Sequence, residues 1–187
     1  MRAWVDESAL QSRVDVPMYL LGASLTSTEH EISISSDLRC RVPRGKKLHW
    51  RELGDRGKTE ARSLLSTLPI EHVIVIAAPL RDGVKQERAR GQCIERLLWE
   101  LSERMVDTVI FESRSPAQDR ADRRRVDGLR GRQYISTSMH VQWTPGATEP
   151  LLWLPDLIVG AVGDARAHNR QLAAELNPTI TEISIEL

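Results

Sequence analysis

Only two cysteines occur in 187 residues, Cys40 and Cys93, and neither belongs to a metal-type spacing. Thiolate zinc sites are thereby excluded. The spacing permits a disulfide, but no secretory signal is evident, so a reducing cytoplasm is the expected compartment. The N-terminus runs directly into Arg2-Ala3-Trp4-Val5-Asp6-Glu7, which lacks the apolar core of a signal peptide. No apolar run reaches the length of a membrane span, so a soluble protein without a membrane partner is expected. Neither sign of charge is in excess, because 26 Lys and Arg balance 26 Asp and Glu. Attraction to nucleic acid therefore needs a local patch rather than a global field. Lysine is scarce, occurring only at 46, 47, 58 and 85, and Arg supplies nearly all the positive charge. Arg favours bidentate phosphate contacts; a general Arg bias explains the same composition. There is no Walker-type or dinucleotide-type glycine-rich loop, and no nucleophile elbow.

What is present is ordinary for a folded chain: 41% hydrophobic and 28% charged residues, enough for one domain with a real core. Residues 2–6 and 18–25 read as buried strands. The alternation from His30 to Ser36 predicts an edge strand or hairpin arm. Residues 37–55 read as a basic loop and 57–68 as a short helix, together a probable insertion over 37–68. His72 to Ala78 is the strongest strand signal, stopped by Pro79 and an Asp82-Gly83 turn. A helix is expected from about Val84 to Met105, with Ile94, Leu97, Leu98, Leu101 and Met105 on one stripe. Then follow a strand over 107–112, a polar helix over 116–130 with Pro116 in its first turn, and a strand within 134–143. An apolar helix runs from Pro150 or Leu154 to Ala165, with Pro155 confined to its first turn. Residues 170–187 form a C-terminal extension whose Ile180–Ile185 segment suits an edge strand. This order predicts an α/β fold, a mixed sheet with helices on both faces.

Three acidic residues stand against apolar segments: Asp6 after Ala3-Trp4-Val5, Glu112 after Val109-Ile110-Phe111, and Asp156 within Leu151 to Val159. Burying an unpaired carboxylate is costly, so each needs a partner. If strand 107–112 lies parallel to strand 2–6, Asp6 and Glu112 reach one carboxyl end of the sheet. A helix crossing there would bring Asp156, with Gly160 and Gly163 on its sheet-facing side allowing close approach. Glu149, seven residues before Asp156, joins that face if the helix extends back to it. Two carboxylates about 4 Å apart repel by roughly 4 kcal/mol at an effective dielectric near 20. A proton, an Arg or a hard cation such as Mg²⁺ or Mn²⁺ must intervene. Taken singly, each acid also suits a cap, a turn or an Arg partner.

The same residues resemble the ribonuclease H-like superfamily, and more narrowly the uncharacterised bacterial DUF-thirty-eight-hundred family. The likeness rests on Val5-Asp6-Glu7-Ser8, Tyr19-Leu20-Leu21-Gly22-Ala23, Lys47-Leu48-His49-Trp50, Ile110-Phe111-Glu112-Ser113-Arg114, and Glu149 with Leu152-Trp153-Leu154-Pro155-Asp156. It spans roughly residues 2–166. Glu112-Ser113 stands where an acidic pair is commoner, and Pro155 replaces a small helix former. The resemblance implies a ribonuclease H-like mixed sheet and a two-ion Mg²⁺ or Mn²⁺ site for phosphodiester cleavage. Asp6 would bridge the ions, Glu112 and Asp156 would complete the set, and Glu149 or Glu7 would assist. It leaves open a non-catalytic module of the same fold that binds nucleic acid or protein.

Further candidates are weighed against simpler roles. Glu87 and Glu95 lie on the long helix, as further ligands or as solvated acids. His49 suits a mobile acid or base, or a structural loop residue. Arg114 opens a stretch to Arg132 with seven Arg and three Asp, which suits phosphate contacts or a helix laced with ion pairs. Trp50, on the basic loop, is the aromatic considered for base stacking.

Overall fold

Nine consecutive residues without an exposed member, Met18–Thr26, make strand β2 the centre of the molecule. The structure, a computed structural model, describes residues 1–11, 14–43, 45–80, 86–172, 174 and 176–187. β1 (Arg2–Leu10) and β2 are followed by helices α1 (Glu31–Cys40) and α2 (Asp55–Thr67), then β3 (Glu71–Ala77). After these come α3 (Gln86–Glu103), β4 (Thr108–Glu112), α4 (Pro116–Gly131), β5 (His140–Thr144), α5 (Trp153–Ala167) and β6 (Ile180–Ile185). The six strands form one sheet in the order β5-β4-β1-β2-β3-β6. β2 is antiparallel to β1 and β3, whereas β1–β4, β4–β5 and β3–β6 are parallel.

Period-two alternation divides the core between the two faces of this sheet. Trp4, Leu20, Ile74, Ile76 and Ile110 pack beneath α1, α2 and α5. Ala3, Val5, Tyr19, Leu21, Val73, Val75 and Phe111 pack beneath α3 and α4. On α3, Ile94, Leu97, Leu98 and Leu101 are fully buried, and each contributes about 1.5–3 kcal/mol by leaving water. Met105, expected on that stripe, lies beyond the helix and is exposed. α4 starts with Pro116 in its first turn and a capping box between Ser115 and Gln118.

The expected Asp82-Gly83 turn and helix start near Val84 lie outside the described residues. Elsewhere three expectations are corrected. His30 to Ser36 is not a strand: α1 occupies Glu31–Cys40, burying Ile34 and Leu38 and leaving Ile32 in solvent. The short Ile/Ser alternation fits both periods, and the four-residue Ile34–Leu38 spacing decides for the helix. The first part of the expected basic loop is therefore helical. β5 begins only at His140, because Ser136 and Ser138 hydroxyls bond locally and turn the backbone away from a ladder. β1 runs past Asp6 to Leu10, paired throughout with β2. The Ile180–Ile185 segment is an edge strand, beside β3.

Candidate functional site

Parallel pairing sets Trp4 beside Ile110 and Val5 beside Phe111. One residue further along each strand stand Asp6 and Glu112. Both carboxylates leave the sheet on the face that carries Trp4 and Ile110. β4 stops at Glu112 while β1 continues, so the pair sits where β1 loses its parallel neighbour. Glu112 rests against the loop that follows β5. Trp153, the first residue of α5, holds that loop by donating its indole N–H to the Gly146 carbonyl at 2.8 Å.

α5 crosses the same face. It can do so because Gly22, the β2 partner of Asp6, has no Cβ to collide with Val159. Gly163 meets Leu10 of β1, as its position on the sheet-facing side suggests. Gly160 instead makes room for the Trp50 ring. Asp156, one turn before Val159, is buried. Its Oδ2 accepts the Trp50 backbone N–H at 2.7 Å. Its Oδ1 lies 2.6 Å from His49 Nδ1, a close contact of opposite polarity rather than a directed hydrogen bond, since Nδ1 makes none.

Between Asp6 and Glu112 stands an ammonium group. Lys47, from the segment joining α1 to α2, donates to Glu112 Oε2 at 2.6 Å and lies 3.9 Å from Asp6 Oδ2. Burial holds the Asp6 carboxyl well above the usual range, and Glu112, Glu7 and Asp156 push it further while Lys47 opposes them. Burial alone would lower Lys47, but Glu112, Asp6 and Asp156 outweigh it and raise its affinity for the proton. The ammonium is therefore held charged by the acids it separates.

Asp6, Glu112 and Asp156 offer only oxygen donors, the chemistry that suits Mg²⁺ or Mn²⁺. Yet among the described residues no three His, Cys, Asp or Glu side chains are grouped as they stand to hold an ion. Lys47 separates two of the acids, and His49 with the Trp50 N–H occupies the third. The donor set fits a hard cation in chemistry; its present counter-charge is a lysine.

Other residues proposed from the sequence lie elsewhere. Glu149 does not share a helical face with Asp156, because residues 150–152 form a 3₁₀ turn that Glu149 caps through the Leu151 N–H at 3.2 Å. Its side chain borders a cleft with Arg2, Trp4 and Glu31 instead. Glu7 points to the opposite face from Asp6 and pairs with Arg90 at 2.7 Å. Arg114 is committed to Glu87 at 2.7 Å and Asp122 at 3.2 Å, away from the Asp6 face. Glu95 faces Arg132. Trp50 is buried, with its indole N–H on Asp164 and Lys58 over its ring, so it offers no stacking surface. In the Arg-rich stretch, Arg130 pairs with Asp127 and Arg123 covers the Trp143 ring.

Two polar residues escaped sequence reasoning. Arg90 is buried and donates to Asp122, Glu7 and the Tyr19 hydroxyl. It falls four residues before Ile94 on the apolar stripe of α3, a signal that it needed buried partners. Lys47 carried no comparable signal; only its place two residues before His49 brought it near.

No protein-family model matches the chain, and no curated protein matches its sequence. Solved structures do. RNase HII from Archaeoglobus fulgidus, in a complex with PCNA, gives a TM-score of 0.56 at 10% identity, over 90% of this chain and 74% of that one. Bst RNase HIII in complex with Mn²⁺ gives 0.54 at 14%, over 95% of this chain and 60% of that one. Ribonuclease H2 from Pyrococcus horikoshii gives 0.54 at 11%, over 90% and 74%. The chain thus spans only part of each neighbour's length. Identities this low establish architecture and nothing finer: the chain has the ribonuclease H-like fold.

Proposed function

We propose that this chain is a divalent-metal-dependent phosphodiester hydrolase acting on nucleic acid, with Asp6, Glu112 and Asp156 as its carboxylate set. The observation that carries the reading is a shared face: Asp6 and Glu112 leave neighbouring parallel strands on the side that α5 crosses, and Asp156 on α5 is near enough to act on the Asp6 charge. The fold neighbours are ribonucleases, one of them solved with Mn²⁺.

A Mg²⁺ or Mn²⁺ ion held by these carboxylates would supply Lewis acidity. Asp6, whose carboxyl feels both Glu112 and Asp156, would be the acid common to the set. The Trp50 N–H fixes the orientation of Asp156. His49, with its side chain 34% exposed and 2.6 Å from Asp156, stands where it can exchange a proton with substrate or solvent. With Arg114 committed elsewhere, the backbone of a substrate has a different host. A cleft of about 590 Å³ between α2 and α5 is lined by Arg62, His168 and Arg170 beside Asp55, with Lys58 paired to Asp164 at 2.6 Å. It shares Asp164 with a smaller cleft over His49 and Asp156.

A second reading, a binding module without catalysis, is favoured by one observation: Lys47 already stands between Asp6 and Glu112 as their counter-charge. One experiment separates the two. Mn²⁺ is titrated into wild type and Asp6→Ala/Asp156→Ala by calorimetry, then both are offered single- and double-stranded DNA and RNA with and without Mn²⁺. Heat and cleavage confined to wild type support the hydrolase. Equal behaviour of the two proteins removes the metal reading, and binding without cleavage supports the module.

A further inference from the structure

The acidic pair at the sheet end already owns a cation. Lys47 Nζ sits 2.6 Å from Glu112 and 3.9 Å from Asp6, where an ion shared by the two carboxylates would also have to lie. Two positive charges do not share that space well, because like charges so close repel. The ammonium can leave. Its side chain is 21% exposed, it is carried by four rotatable bonds, and it stands in a segment outside any helix or strand. That segment is tethered close by, where the Trp50 N–H meets Asp156, so the main chain can stay in place while the side chain swings out.

We infer that Lys47 is the resident counter-ion of the Asp6–Glu112 pair and competes with a divalent cation for it. The inference rests on the metal reading above and adds a regulation to it. Without metal, the lysine offsets one of the two crowded carboxylate charges. With metal, the lysine is expelled, so metal affinity is set by the difference between two cations rather than by the carboxylates alone.

Mn²⁺ alone is the probe, and calorimetric affinity is the first readout. Lys47→Met keeps the side-chain length without its charge, and we expect it to bind Mn²⁺ at least tenfold tighter than wild type. Adding Asp6→Asn should abolish that gain. A gain that survives Asp6→Asn places the ion elsewhere and overturns the inference. A second readout needs no variant: acetylation of Lys47 in wild type, followed by mass spectrometry with Lys46 and Lys58 as internal references. Its rate should rise severalfold as Mn²⁺ saturates. Saturable Mn²⁺ binding with equal affinities in wild type and Lys47→Met, or with unchanged Lys47 labelling, overturns the competition and leaves the metal reading standing. Absence of binding in both proteins removes the metal reading and the competition together.

Discussion

Glu112 occupies the space that a side chain at Gly146 would fill: a Cβ there would collide with its carboxylate. The loop after β5 thus sets where one of the three acids can stand. Gly146→Ala should push Glu112 away from Lys47 and from Asp6. Gly146 does not have a positive φ, so the backbone tolerates alanine and stability should change by less than about 1 kcal/mol. Displaced supporting groups cost roughly 10–100-fold in metal affinity, and Mn²⁺ calorimetry beside a thermal melt checks both parts.

Asp156 carries two roles that substitution can separate. Asp156→Ala leaves the buried Trp50 N–H without its acceptor, and should destabilise by about 1–3 kcal/mol. Asp156→Asn keeps an oxygen for that N–H, so urea unfolding should show a smaller loss. Both should lose Mn²⁺ binding. Retained binding in Asp156→Asn would remove that carboxylate from the proposed set.

Arg90 is the structural counterpart on the other face of the sheet. It is buried against Asp122 and Glu7 and donates to Tyr19. Removing one partner from a buried ionic cluster costs about 3–5 kcal/mol. Arg90→Ala should therefore unfold at markedly lower urea than wild type. An apolar, similarly sized Arg90→Met paired with Asp122→Leu should recover part of the loss, measured in the same denaturation series.

His72 makes stability fall in acid. It is buried on β3, and burial lowers its imidazole to about 3 from an ordinary value of 6.5. Its Nδ1 meets the Ser24 hydroxyl at 2.9 Å. The unfolded chain binds a proton at this residue below pH 6.5 while the folded chain does not. Its contribution is complete above 6.5 and is lost as pH falls toward 3, by at most about 1.4 kcal/mol per pH unit. The difference in unfolding free energy between wild type and His72→Gln should follow that slope. A difference independent of pH between 6.5 and 3 would contradict the buried, neutral imidazole.

The sequence carried the frame of the site further than its occupants. Asp6 and Glu112 each follow a strongly apolar strand, and parallel neighbours with matched ends place such residues together. Asp156 was legible because Pro155 fixed the helix start near it. Glu149 was not, since a single 3₁₀ turn separates it from the helix and rotates it toward Arg2 and Trp4. Arg114 read as a phosphate hand, and Glu7, Glu87 and Asp122 claim it. Trp50 read as an exposed aromatic, and the missing side chain of Gly160 lets it become core.

Apart from the His30–Ser36 segment, the sequence by itself determined the strands, most helices and the face that Asp6 and Glu112 share. Those features follow from periodicity and register, which neighbouring residues set among themselves. Only the tertiary structure decided which cation each acid meets. Lys47 reaches Glu112 across 65 positions of chain and Arg90 reaches Glu7 across 83. Charge pairing depends on distance through space, and no local pattern records it.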